Sequence, residues 1–259
     1  MSTLTHTVAD STTMLRRSLR HTLRYPASMV TSLAIPVLLL LLFVGVFGGA
    51  LGAGIAHGGG YVDYIVPGIL LVTVGYGAST TALAVNKDMA EGIIDRFRTM
   101  AIARSAVLTG HVLAATIRTM VSMALVIGVG LLMGFRPTSD PVRWLAATGV
   151  LLLLVLALTW LAVAIGLASP TAEGTTGFLL IVQVLPFVSS AFVTTESMTG
   201  PVRWFAHNEP FTPIIDTVRG LLMDTPVGGR GIVAVAWCAG LALAGYLWAR
   251  AVFSRPPRP

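Results

Sequence analysis

Long apolar runs decide what this sequence can fold into. From Val142 to Ala168 the chain is rich in leucine and alanine and, after Arg143, carries no charged side chain. Comparable runs occupy about 29–50, 63–85, 106–134, 176–193 and 232–253. Hydrophobic residues make up 55% of 259 positions, with a mean hydropathy of +0.83. That is more apolar surface than one soluble core of this size can hide, so the solvent of the folded chain is lipid. A hydrocarbon layer of about 30 Å takes about 20 apolar residues per helix. The pattern therefore predicts a single domain, residues 1–259, that is an all-α polytopic membrane protein with six transmembrane helices.

The runs are not uniform. Pro36, Pro67 and Pro186 predict kinks or interruptions in the first, second and fifth. At about 1.5 Å per residue the third would be about 43 Å long, so it tilts or projects from the bilayer. Before the first run, residues 12–25 place Leu15, Leu19 and Leu23 on one face and Arg16, Arg17, Arg20 and Arg24 on another. This predicts a basic interfacial helix that ends at Pro26. A glycine-rich turn spans 52–60.

Residues 197–224 are too apolar for a loop and too broken for a span. Pro201–Ala206 forms one short piece. Thr212 and Pro213 predict a helix start, with a capping hydroxyl followed by proline at the first helical position. Ile214, Val218, Leu221 and Leu222 then share one face, with Asp216 and Arg219 on the other. A helix of about 11 residues cannot cross a bilayer, so these short outer helices are re-entrant or interfacial. Asp216 and Arg219, at i and i+3, are expected to pair and help hold an outer gate shut. As a surface pair they would contribute about 0.2–1 kcal/mol, and reversing both charges would partly restore what either single change loses.

A charged island, Asn86–Arg104, separates the second and third runs. On a helix, Met89, Ile93, Phe97 and Met100 fall on one face and Asp88, Glu91, Asp95 and Arg98 on the other. The island is thus a short amphipathic helix, either lying on lipid or docked to a partner. With the N-terminus inside, cytoplasmic segments hold eleven Arg and Lys and outer segments five. The positive-inside bias then places both termini and the island in the cytoplasm. The net charge of +6 reads as this topology signal, not as a nucleic-acid footprint.

Several chemistries lack their residues. The only lysine, Lys87, follows Asn86, so no nucleotide-binding P-loop is present. The five histidines show no metal-ligand spacing, and no serine sits in a nucleophile-elbow motif. Cys238 has no partner for an intramolecular disulfide. The chain therefore reads as no enzyme, binding neither metal nor cofactor. Arg118 is the one strong ionisable candidate inside a span; it either lines a pathway or snorkels toward the cytoplasmic interface. Tyr76 and Gln183 are polar groups in spans, suited to interhelical hydrogen bonds or to ligand contact. With Phe187 they complete the candidate pathway-lining set.

The segments YVDYIVPGIL (61–70), EGIIDRFRTMAIARSAVLTG (91–110), PFVSSAFVTTESM (186–198) and NEPFTPIIDTVRGLL (208–222) together resemble the type-2 ABC transporter permeases, specifically the daunorubicin/doxorubicin-resistance branch. The resemblance implies an ABC-2 type transmembrane domain in a bacterial plasma membrane. It also implies a second permease (a copy or a relative) as dimer partner, and two cytoplasmic ATPase subunits that bind the ATP and Mg. In that family the helix between spans two and three is the coupling helix, which maps here to 88–100, with Asp88, Met89, Glu91, Ile93, Phe97, Arg98 and Met100 as contact residues. Family loops often carry a proline where Met100 and Ala101 stand. The implied function is export of an amphipathic drug-like molecule or lipid. The competing reading is a secondary carrier or channel without an ATPase, which has no use for an amphipathic cytoplasmic helix.

Overall fold

The computed structural model describes residues 26–52, 60–92 and 104–254. The expected interfacial helix at 12–25 and most of the glycine-rich turn lie outside the described residues. So do Ile93, Phe97, Arg98 and Met100 of the island. Among the described residues there are nine α-helices, two short 3-10 turns and no strand. These are α1 (Pro26–Gly45), α2 (Gly48–Gly52), α3 (Tyr61–Ala90), α4 (Arg104–Leu132), α5 (Pro141–Ala168), α6 (Ala172–Val184), α7 (Gly200–Asn208), α8 (Phe211–Leu222) and α9 (Arg230–Phe253). The 3-10 turns are Leu185–Val188 and Thr195–Ser197.

Among the described residues, four helices are long and apolar enough to cross a membrane: α3, α4, α5 and α9. Two further apolar segments, Leu33–Gly45 of α1 and Ala172–Val188, are shorter. The fifth expected span, 176–193, differs most from its sequence reading. Its α-helix stops at Val184, tightens into the 3-10 turn that contains Pro186, and leaves regular structure at Ser189. Proline supplies no N–H to continue the ladder. The chain then folds back against α3, where the Tyr64 and Tyr61 hydroxyls donate to the Ser190 and Phe192 carbonyls at 2.9 and 3.1 Å.

Helix α3 is the axis of the bundle. It packs against α1, α4, α5, α6 and α8, and Ile65, Ile69, Leu70 and Leu71 are fully buried along it. Helix α9 packs chiefly on α5. It leaves Ile232, Leu243 and Leu247 exposed, an apolar face that fits lipid better than water. Two glycines on the α5 contacts permit close approach. A Cβ on Gly166 would stand 2.5 Å from the Ala82 carbonyl of α3, and one on Gly245 would stand 2.7 Å from the Leu161 nitrogen of α5.

Local chemistry sets the helix ends. Asp140 caps α5 by accepting from the Val142 N–H at 2.9 Å, with Pro141 in the first turn. Thr171 caps α6 through Gly174. The Asp63 carboxylate accepts from the Gly60 N–H at the start of α3 and from the Arg136 N–H, tying α3 to the α4–α5 link. At the other end of the bundle Asn86 donates to the Gly166 and Ser169 carbonyls and so closes the end of α5.

The first residues of the expected coupling helix belong to α3, and its remainder, 93–100, lies outside the described residues. Asp88 and Met89 are the last turn of α3, which runs unbroken through Ala90. Glu91 follows as its cap, and Gly92, at φ +67°, turns the chain. Helical periodicity alone does not mark where a helix ends when the residues beyond it continue the same pattern.

Candidate functional site

At the Tyr61 end of the bundle, α3, α8, α9 and the 189–192 return converge on one ion pair, Asp216 with Arg219. Arg219 donates from Nη1 to Asp216 Oδ1 at 2.8 Å, from Nε to the Tyr64 carbonyl at 3.1 Å and from Nη2 to the Ser190 carbonyl at 2.7 Å. Its carbon also sits 3.8 Å from the centroid of the Tyr64 ring, a cation–π contact. Asp216 is equally committed: Oδ1 also accepts from the Ser190 hydroxyl, and Oδ2 accepts from Arg230, each at 2.8 Å. The expected pairing is therefore present, but its class is different. The side chains of Arg219 and Asp216 are only 16% and 14% exposed, so the pair belongs to a partly buried network and not to a solvated surface.

This network forms one wall of a cavity of about 890 Å³ whose lining includes Asp63, Tyr64, Arg136, Thr195 and Met223. The volume is that of a pocket for a drug-sized molecule. The ring of Phe192, whose carbonyl accepts from the Tyr61 hydroxyl, stacks on Phe187 at 4.8 Å between centroids and meets Phe43 at a tilt of 41° and 4.6 Å. Phe187 thus belongs to the packing at the Tyr61 end.

Glu209 positions α8. Its carboxylate accepts from the N–H groups of Phe211 and Thr212, the first free donors of that helix. The sequence reading gave this capping role to Thr212. That hydroxyl instead accepts from the Ser190 N–H, which holds the return loop. A glutamate two residues before the helix can reach back over the first turn, so cap geometry was not set by the nearest hydroxyl. Burial pushes the Glu209 carboxyl above its ordinary range, against the two N–H bonds, which pull it down. A carboxyl raised in the folded state stabilises below its unfolded value of about 4.3, and that contribution is lost as pH rises through the folded value. Thermal unfolding of Glu209→Gln is expected to show a weaker decline between acid and neutral pH than the parent chain. Glu209→Ala, which leaves both donors without an acceptor, is expected to cost about 1–2 kcal/mol.

Within the bundle the structure joins the polar candidates through α3. Arg118, at the midpoint of α4, donates to the Thr81 and Thr80 hydroxyls at 3.0 and 3.3 Å. It turns sideways onto α3 and does not snorkel to a helix end. Gln183 donates to the Ser79 hydroxyl at 2.7 Å, joining α6 to the next position on the same helix. Tyr76 lies one turn from Thr80 and is half-buried.

At the Ala90 end, Asp88 lies 3.3 Å from His111 of α4, and Lys87 lies 3.7 Å from Glu91. Met89 packs, partly buried, against the chain's own core of Val85, Leu108 and Phe253 and keeps part of its surface exposed. Ile93, Phe97, Arg98 and Met100 lie outside the described residues.

The sequence from residue 11 to residue 223 matches the family model for the ABC-2 type transporter. The chain belongs to the ABC-2 type transporter family. Among curated relatives of this ABC-2 chain, it is 29% identical to a daunorubicin resistance ABC transporter permease protein of Streptomyces coeruleorubidus, over 71% of this chain and 62% of that protein. It is 26% identical to a probable doxorubicin resistance ABC transporter permease protein of Mycobacterium tuberculosis, over 69% of this chain and 65% of that protein. The matched stretch thus spans a little under two thirds of each relative.

Sequence reading of this ABC-2 chain found Asp216 and Arg219 but missed Tyr64, Ser190 and Arg230. Tyr64 stands 155 positions from Arg219. Arg230 carried one available signal, a cation just before the last span within reach of an acidic helix. Among the described residues no group of His, Cys, Asp and Glu could hold a metal ion, and Cys238 is buried and free.

Proposed function

We propose that this chain is the membrane-spanning subunit of an ATP-driven exporter in a bacterial plasma membrane, a single domain over residues 1–259 that crosses six times with both termini inside. It moves an amphipathic drug-like molecule or a lipid outward. Two cytoplasmic ATPase subunits bind ATP and Mg, and a second permease completes the dimer. The observation that carries this reading is the family match through 11–223, which takes in the island and the α7–α8 segment together. The names of the relatives, resistance permeases for daunorubicin and doxorubicin, support an amphipathic substrate. The missing P-loop supports a separate ATPase. Under this orientation the Tyr61 end faces outward, and the Asp216–Arg219 network closes the outer gate.

The coupling contact is the amphipathic stretch 88–100. Met89, Ile93, Phe97 and Met100 insert into a groove on the ATPase, while Glu91 and Arg98 stand at its rim. Loss of an aromatic anchor from such a contact costs about 2 kcal/mol or more, about 30-fold in affinity, whereas a rim charge mostly changes association rate and salt dependence. Phe97→Ala is therefore expected to reduce copurification of the ATPase more than Arg98→Ala does, at equal membrane insertion. A helix lying on lipid gives the reverse ranking, because each arginine near anionic headgroups contributes about 1 kcal/mol. Failure of any ATPase to copurify with the parent chain would favour the carrier or channel.

A further inference from the structure

Arg118 is a fixed cation inside the bundle to which the described residues supply hydroxyls and no counter-charge. In α3, α4, α5, α6 and α9, the acidic residues are Asp63, Asp88 and Glu173, each within three residues of a helix end. Thr81, to which the guanidinium donates, is nine residues from the end of α3, about 13 Å along the axis. Two neutral hydroxyls accept two of five N–H donors and neutralise nothing. Ionisable groups at such depth are costly and normally paired.

The surroundings show from which side an anion can arrive. On one side of Arg118 lies a void of only about 10 Å³, lined with Thr73, Gly77, Thr119 and Ser122. It holds at most a single water. The flank is more open: Ile117 beside Arg118 is 39% exposed, and Leu83, one turn from Thr80, is 38% exposed. An apolar approach that ends on a cation with a spare hydrogen-bonding fork suits an amphiphile with an acidic head. The fork geometry of arginine matches a carboxylate or phosphate.

The geometry points to Arg118, with Thr80 beside it, as a binding site for the carboxylate or phosphate of an anionic amphiphile entering from the exposed flank of α3 and α4. This narrows the substrate class of the proposed exporter and rests on that reading for its part in transport, but the binding itself requires no ATPase.

The experiment uses the full chain purified in an uncharged maltoside detergent. The probe is 11-dansylaminoundecanoic acid, compared with its methyl ester, which differs only in charge at the head. The parent chain is expected to bind the acid about tenfold or more tightly than the ester. Arg118→Gln is expected to abolish that preference. Thr80→Asp supplies the missing carboxylate from within, so it is expected to abolish the preference while raising the unfolding temperature; it decides the matter if Arg118→Gln does not fold. Equal binding of acid and ester by the parent chain, or a preference that survives in either folded variant, overturns the site. Native mass spectrometry separates the sources of the anion. Phosphatidylglycerol retained by the parent chain and lost from Arg118→Gln identifies a lipid phosphate, and its absence from both, with the probe preference intact, identifies a free amphiphile. Copurification of the ATPase is scored separately, so failure of this site and failure of the exporter reading give different results.

Discussion

Replacing Arg219 with methionine is expected to lower the unfolding free energy by about 2–3 kcal/mol, between the small worth of an exposed ion pair and the 3–5 kcal/mol of a fully buried one. The methionine keeps much of the packing volume but removes one donor from each of the Tyr64 and Ser190 carbonyls, leaving the latter with the Tyr64 hydroxyl alone, and leaves Asp216 with one cation in place of two. Denaturant titration of the detergent-solubilised chain measures the loss; a change below about 0.5 kcal/mol would return the pair to the surface class. Arg219→Lys is expected to recover only part, because an ammonium cannot address three acceptors in one plane while stacking on a tyrosine ring. The structure also reverses the expectation for charge exchange. Asp216→Arg combined with Arg219→Asp restores one ion pair. It loses both carbonyl contacts and the Tyr64 stacking, and sets two arginines, 216 and 230, against each other. The double variant is therefore expected to be no more stable than the singles.

Gly166→Leu is expected to destabilise the chain by about 3 kcal/mol, at the upper end of the usual cost of overpacking. Even the first added carbon would meet the Ala82 carbonyl at 2.5 Å and the Val85 Cβ at 2.9 Å, and a backbone atom cannot move aside as a side-chain tip can. Separating α5 from α3 would also break the bonds from Asn86 to the Gly166 and Ser169 carbonyls. Gly149→Leu provides the matched control on the same helix. A Cβ there meets nothing within 4 Å, so the substitution is expected to raise stability by up to about 1 kcal/mol through helix propensity. Opposite signs for the two variants in parallel melts confirm that proximity, and not glycine content, sets the effect. A neutral Gly166→Leu would mean that α3 and α5 are not in close contact.

How far the sequence could be read depended on how local each feature is. Four long apolar helices appeared where hydropathy placed them, because a run of apolar residues reports its own burial. The short helices at 200–208 and 211–222 were legible for the same reason: an apolar face, with proline near the start, within a window too short to span. The end of α6 was not, since a proline can kink a helix or terminate it, and which occurs depends on what receives the chain beyond. Here Tyr61 and Tyr64 of α3 receive it. Met89 is divided: it is partly buried against the protein's own core, while Ile93, Phe97 and Met100, which share its expected face, lie outside the described residues.

The sequence by itself determined the solvent, the helical class, the lack of a P-loop motif and the pairing of Asp216 with Arg219 three residues later. Each of these follows from composition or from spacing within one turn. Only the tertiary structure decided that this pair is a partly buried junction of three helices and a loop, that Glu209 caps α8, and that Arg118 donates to threonines of α3 with no carboxylate beside it among the described residues. The physical reason is common to all three. Burial and hydrogen-bond partnership are set by which segments meet in space, and Tyr64 meets Arg219 across 155 residues of chain that no local periodicity connects.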